Sequence, residues 1–224
     1  YAAAVAAEDA TDLPFHDLQS GEPAKVATHA SVLAYDGTLR VSVECARATP
    51  RGMNVDKVKR DGNVWAGETV EVMLLPGLDH TKPYYHFAVS PAGSLYDARA
   101  QDATWNAPGA KVRVPRKKDS WVAVLEVPVA DLVGAGDAPA LWRVNVHRCR
   151  PKSAGPPALD IAWSPTHNRS SHVPARFGLV MPAGAKPDWK AAPETADTLL
   201  ASRIVLRQTF EKDAKPFAEG ERAV

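Results

Sequence analysis

Hydrophobic and polar residues alternate with period two through much of this chain. In residues 38–46 (TLRVSVECA), Leu39, Val41, Val43 and Cys45 fall on one side and Arg40, Ser42 and Glu44 on the other. That is the pattern of a strand with one buried face. The preceding run, residues 28–35 (THASVLAY), ends at Asp36 and Gly37, a pair suited to a two-residue hairpin turn, so the two runs are expected to pair. Residues 69–75 repeat the alternation, with Val70, Val72 and Leu74 opposed to Glu71 and Met73. Further strands are expected at 84–90, 94–98, 110–114, 120–127 and 141–148, in the run DIAWSP, and near 175–181. Residues 110–114 and 120–127 read as a hairpin joined by the basic turn PRKKD. Residues 128–133 (PVADLV) read as a helical turn begun by Pro128, a residue favoured at that position. Residues 194–213 lack Gly and Pro and admit a second helix, although their apolar residues share no single face.

Many short strands, turn signals about every ten residues and no βαβ alternation predict an all-β protein. The expected architecture is an antiparallel β-sandwich with one or two short helices. The pattern divides the chain into an N-terminal arm packing on the sandwich (1–27), the sandwich (28–181) and a C-terminal extension (182–224).

The 224 residues suit one large domain, and 45% hydrophobic with 24% charged residues is ordinary for a globular core. A net charge of +1 gives no electrostatic case for nucleic acid or an anionic membrane as partner. No apolar run is long enough to span a bilayer as a helix. The Ala-rich start lacks a basic n-region and does not read as a signal peptide. Two cysteines, Cys45 and Cys149, each close a predicted strand. They are either one disulfide, which suits an exported protein, or two buried small hydrophobes.

No phosphate loop, HExxH or GxSxG motif is present. The polar faces of the strands are more informative. Glu71 and Met73 share one face, Arg143, Asn145 and His147 another, and Tyr84, His86, Ala88 and Ser90 a third. Carboxylate, amide, guanidinium and imidazole groups offer the donors and acceptors that a polyol needs. Trp65, six residues before Glu71, and Trp163 could add flat apolar plates. Alternation assigns Trp121 and Trp142 to the core and leaves Trp105 and Trp189 open. His167 and His172 share a loop at a weak metal-binding spacing.

Six ordered segments, LAYDGTLRVSVEC, VWAGETVEVMLLP, YYHFAVSPAGSLYDA, SWVAVLEVPVADL, WRVNVHRCR and IAWSPTHNRSSHVPARFGLV, together resemble the carbohydrate-binding module family 9, a β-sandwich related to the DOMON group. The resemblance covers roughly residues 28–181. It implies a non-catalytic module that holds a saccharide, at a chain end, between two tryptophans. Carried over, Trp65 and Trp163 are the plates, Glu71 the carboxylate and Asn145 the strand amide, with Arg99 or Arg148 as the guanidinium. The family also implies structural calcium, whose ligands the resemblance does not assign here, and a secreted or periplasmic setting. It further implies a neighbouring catalytic domain in polysaccharide degradation. Two departures stand beside the expected groove: Glu68 where the family has Asp, and Ser90-Pro91 where it has Asn. Two other readings remain: an accessory domain with a vestigial sugar site, and a DOMON-type haem domain ligated from Met53, Met73 and His86.

Overall fold

The structure is a computed structural model that describes residues 4–5, 14–47, 56–136, 138–182 and 205–208. In chain order its strands begin with β1 (Ala4–Val5), β2 (His16–Asp17), β3 (Thr28–Tyr35) and β4 (Thr38–Ala46). Next come β5 (Thr69–Pro76), β6 (Tyr85–Val89), β7 (Leu95–Arg99) and β8 (Lys111–Arg113). The last are β9 (Ser120–Pro128), β10 (Trp142–Arg150), β11 (Leu159–Ala162), β12 (Gly178–Pro182) and β13 (Val205–Gln208). Among the described residues one α-helix, α1 (Val129–Val133), follows β9, and none of the described helices is long and apolar enough to cross a membrane.

The strands form two sheets. The smaller has the order β3-β4-β9-β8, and the larger, nine-stranded sheet runs β1-β13-β12-β10-β5-β6-β7, with β11 bridging β10 and β2. Among the described residues all pairings are antiparallel except at one edge, where β13 lies parallel to both β12 and β1. This is the expected all-β sandwich. The β3–β4 hairpin turns at Asp36 and Gly37, whose φ angles of 45° and 70° are both positive, the conformation that favours this residue pair.

Alternation places the core. Ala30, Val32, Leu39, Val41, Val43, Cys45, Trp121, Ala123, Leu125 and Val127 of the small sheet meet Val70, Val72, Leu74, Tyr85, Phe87, Val89, Trp142, Val144 and Val146 of the large one. Burying one such aliphatic or aromatic side chain is worth about 1.5–3 kcal/mol, so this interface dominates the stability. Phe15, next to β2, joins the same core. Trp105 packs against its edge, with its ring 4.8 Å from that of Tyr85. Cys45 and Cys149 are both free thiols. They lie on opposite faces of their sheets, Cys45 in the core and Cys149 outside it.

The helix expected over 194–213 mostly falls outside the described residues, as does Trp189. Its described part, Val205–Gln208, is a strand instead. The run VLRQ there opens with Val205 directly after Ile204, two β-branched residues in succession, and extends the large sheet beside β12, where a free edge accepts its backbone hydrogen bonds.

Candidate functional site: a carboxylate and histidine face on the large sheet

The face of the large sheet turned away from the core carries the chemistry. Register sets its members: Glu71 of β5 lies opposite His147 of β10, Met73 lies opposite His86 of β6, and Cys149 lies opposite Asp160 of β11. Half of this face is closed. Met73, Leu75, Tyr84 and Phe177 form a second, smaller apolar cluster, because the loop 163–177 folds across it. Asn145 holds that loop down: its Nδ2 donates to Ser164 O at 2.9 Å and its Oδ1 accepts from Ser164 N at 3.0 Å. Ser164 Oγ then donates to Arg176 O at 2.7 Å, closing the base of the loop.

The other half is polar. Glu71 is 5% exposed, yet it is densely partnered. Its Oε2 lies 2.7 Å from His86 Nε2, and its Oε1 lies 3.1 Å from His147 Nδ1 and 3.5 Å from Cys149 Sγ. His147 Nε2 in turn meets Asp160 Oδ1 at 2.7 Å. Burial alone would raise the Glu71 carboxyl, but hydrogen bonds from His147 and His86 outweigh it and hold the group well below the usual carboxylate range. Burial likewise disfavours the His147 cation, and is overcome by hydrogen bonds to Asp160 and Glu71, which push its pKa up to about 9. An imidazolium between two carboxylates therefore anchors the floor of the site at neutral pH. Burial, then the nearby Glu71 charge, pushes the Cys149 thiol well up, so it stays protonated.

Aromatic rings border this floor. Trp65 sits on a short 3₁₀ turn, Val64–Ala66, whose start is capped by Asn63 Oδ1 accepting from Trp65 N at 3.2 Å. Thr69 Oγ1 donates to Val64 O at 2.9 Å and ties the turn back to β5. The half-buried Trp65 ring lies 4.8 Å from Tyr96, edge-on, and 6.1 Å from His86. The His86 ring stands 4.7 Å from His172 at an interplanar angle of 84°. His172 Nδ1 is 2.7 Å from Tyr84 Oη. Burial and the neighbouring His86 lower the His172 pKa, favouring the neutral ring.

Of the residues predicted for the site, Trp65 and Glu71 come together here. Asn145 shares their face but is fully buried and engaged with Ser164. Trp163 is fully buried in the intersheet core, so it has no surface to pair with Trp65 as a plate. Arg148 is also fully buried, on the core side of β10, where it meets Glu68 at 2.6 Å. Arg99, opposite Tyr85, stacks over that ring at 5.9 Å on the core side of β7, away from Glu71. Ser90 and Pro91 are both buried in a tight turn, where Arg116 Nη2 donates to Pro91 O at 2.7 Å. Met73, a proposed haem ligand, is closed off beneath Tyr84 and Phe177, and Met53 lies outside the described residues.

Among the described residues two groups of side chains bring three potential metal-ligand atoms within 4.8 Å of one another: Glu71, His147 and Cys149, and Glu71, His86 and His172. Calcium takes six to eight oxygen ligands, and each group sets imidazole donors, with a thiol in the first, around one carboxylate, so neither suits it. Sequence reasoning placed His86 and His147 on polar strand faces but missed Tyr96, Asp160 and His172 as neighbours of Glu71.

No protein-family model and no curated protein sequence matches the chain. Solved structures do. A Bacteroides uniformis protein described as carbohydrate-binding aligns with a TM-score of 0.55 at 19% identity, over 75% of this chain and 86% of its own. A carbohydrate-binding module of family 9 from Caldicellulosiruptor kristjanssonii in complex with glucose aligns with a TM-score of 0.53 at 9% identity, over 91% of this chain and 88% of its own. A family 9 module from Caldicellulosiruptor kristjanssonii in complex with cellotriose aligns with a TM-score of 0.54 at 9% identity, over 97% of this chain and 96% of its own. The chain therefore has a fold like that of carbohydrate-binding module family 9.

Proposed function

We propose that the chain is a non-catalytic carbohydrate-binding module whose saccharide site is the polar half of the outer face. One observation carries this reading: the partly exposed rings of Trp65 and Tyr96 stand edge-on at 4.8 Å beside an ionised, buried Glu71. Aromatic faces suit the C–H faces of a pyranose, and a carboxylate accepts strong hydrogen bonds from hydroxyls. The glucose and cellotriose complexes of the structural neighbours support saccharide as the ligand class. In this reading Tyr96 and His172 take the place that the sequence had suggested for Trp163.

Calorimetry of the wild type and of Trp65→Ala against glucose, cellobiose, cellotriose and a wider saccharide panel tests it. The wild type should bind at least one sugar with micromolar to millimolar affinity, because a small ligand offers few atoms and its hydroxyls must be desolvated. Trp65→Ala should weaken that binding at least about tenfold, or about 1.4 kcal/mol. No binding by the wild type would refute the reading. It would favour an accessory domain with a silent groove, for which the engagement of both Glu71 oxygens by His86 and His147 is the supporting observation.

A further inference from the structure

We infer that Glu71, His86 and His172 form a binding site for a divalent first-row transition ion such as zinc. The three side chains converge from different elements, β5, β6 and the loop 163–177, and their ligand atoms lie within 4.8 Å of one another. Two imidazoles and one carboxylate are a recurrent zinc donor set that leaves a fourth position open.

Two of the three ligands are oriented from behind. Tyr84 Oη meets His172 Nδ1 at 2.7 Å, which leaves Nε2 as the ring's ligand atom. His147 Nδ1 holds Glu71 Oε1 at 3.1 Å, and Asp160 holds His147 in turn at 2.7 Å, so Oε2 is the oxygen presented to His86. Outer contacts of this kind fix ring orientation and tune affinity in metal sites. His86 Nε2 and Glu71 Oε2 are now joined at 2.7 Å, so an ion entering there displaces the shared proton.

The fit is close but not closed. Donors around a tetrahedral ion with bonds of about 2.0–2.2 Å stand about 3.4 Å apart. The His86–Glu71 pair must open from 2.7 Å, and the rest of the adjustment falls on His172, the one ligand carried by a loop rather than a strand and also the partly exposed one. The alternative triad is less suited: His147 already has each ring nitrogen against a carboxylate, Glu71 on one side and Asp160 on the other.

The ion site shares Glu71 and His172 with the proposed saccharide site, but an ion needs no sugar to bind, so the two readings are tested separately. The test is calorimetric titration of the tag-free, chelator-treated chain with zinc, together with the visible spectrum of the cobalt-substituted protein. The expected result is one equivalent bound, with a cobalt spectrum typical of a four- or five-coordinate site. His86→Gln and His172→Gln should each weaken zinc on the order of 100-fold, and Tyr84→Phe roughly tenfold, while His167→Gln, outside the cluster, changes nothing. Far-UV circular dichroism confirms that each variant is folded. Absence of a stoichiometric site, or zinc affinity unaltered in both folded histidine variants, overturns the proposal. Loss of zinc only in Cys149→Ser also overturns it, by moving the ion to the other side of Glu71. Saccharide titrations with and without zinc are scored separately, so failure of one reading leaves the other standing.

Discussion

Arg148 has no exposed surface, and its guanidinium is a clamp between the two sheets. Its Nε and Nη2 donate to Glu68 Oε1 at 2.9 and 2.6 Å, its Nη1 to Thr28 Oγ1 at 2.8 Å and Ala27 O at 3.2 Å, and its Nη2 to Ala46 O at 2.6 Å. The five donors of a guanidinium thus find acceptors at the start of β3, the end of β4 and the entry to β5. Glu68, 1% exposed, also accepts from Trp121 Nε1 at 2.8 Å. Arg148→Met removes the charge and leaves Glu68 buried with much of its pairing gone. Breaking one side of a buried, hydrogen-bonded pair costs about 3–5 kcal/mol, a large share of the roughly 5–15 kcal/mol that holds a domain folded. At about 2–4 °C per kcal/mol for a chain of this size, the melting temperature should fall by roughly 6–20 °C. Urea denaturation should show a lower midpoint with an unchanged slope. The pair Arg148→Met with Glu68→Leu should cost less than the two single losses added, because the second change removes the stranded charge. If Arg148→Met proves too unstable to purify, Glu68→Gln, which keeps the shape and removes the charge, gives the same sign at smaller magnitude. An unchanged midpoint combined with lost saccharide affinity would refute this reasoning and put the guanidinium in the ligand site.

The remaining expectations concern the loop, the thiol and the surface charge. Asn145→Ala removes both hydrogen bonds that hold Ser164 and should cost about 1–3 kcal/mol. Hydrogen exchange should quicken at backbone amides of 164–176 before it does so in the core strands, and uniform quickening would contradict the local role. Burial pushes the Cys45 thiol up to about 12, so it should resist alkylation at pH 8 in the native protein and react in denaturant; rapid native labelling seen by mass spectrometry would be the contrary result. Hydrogen bonds from Lys117 and then Ser120 lower the Glu44 carboxyl below its usual 4.5. Because the folded value is the lower one, the stability it supplies is fully present above about pH 4.5 and fades as pH falls through the folded value. Glu44→Gln should therefore flatten that part of the acid profile, and an identical profile would count against the pairing.

The sandwich was legible because its strands alternate. A period of two fixes which side chains face inward, and β4, β5, β9 and β10 all obey it over most of their length. Where legibility failed, side chains had left the polarity rule. Arg148 follows Val144 and Val146 in phase, so alternation alone turns it inward; the family resemblance turned it outward, toward a ligand. Trp163 likewise continues the phase of Ile161 into the core. At β7 polarity inverts: Asp97 is fully buried on the core side, where Arg60 meets it at 2.7 and 2.5 Å and Ala107 N donates to it at 2.7 Å. A buried charge with three such hydrogen bonds is tolerable. That inversion is what turns Tyr96 to the outer face, beside Trp65.

The site itself depends on information that no single segment holds. Glu71, His86 and His147 meet because of two registers, β5 against β10 and β5 against β6. A slip of one residue in either would carry one histidine through to the core side. Those registers are fixed by burial of the opposite, apolar faces, so the positions of the polar groups are a consequence of where valines and leucines must go. His172 adds a condition of a different kind. It carries no periodic signal, and it reaches His86 because Asn145 and Phe177 pin a loop across the sheet. Glu71 is conspicuous in sequence as a charge within an apolar strand. Its partners become visible once the hydrophobic registers are known, and this is why the carboxylate was found first and the histidine cluster around it only in three dimensions.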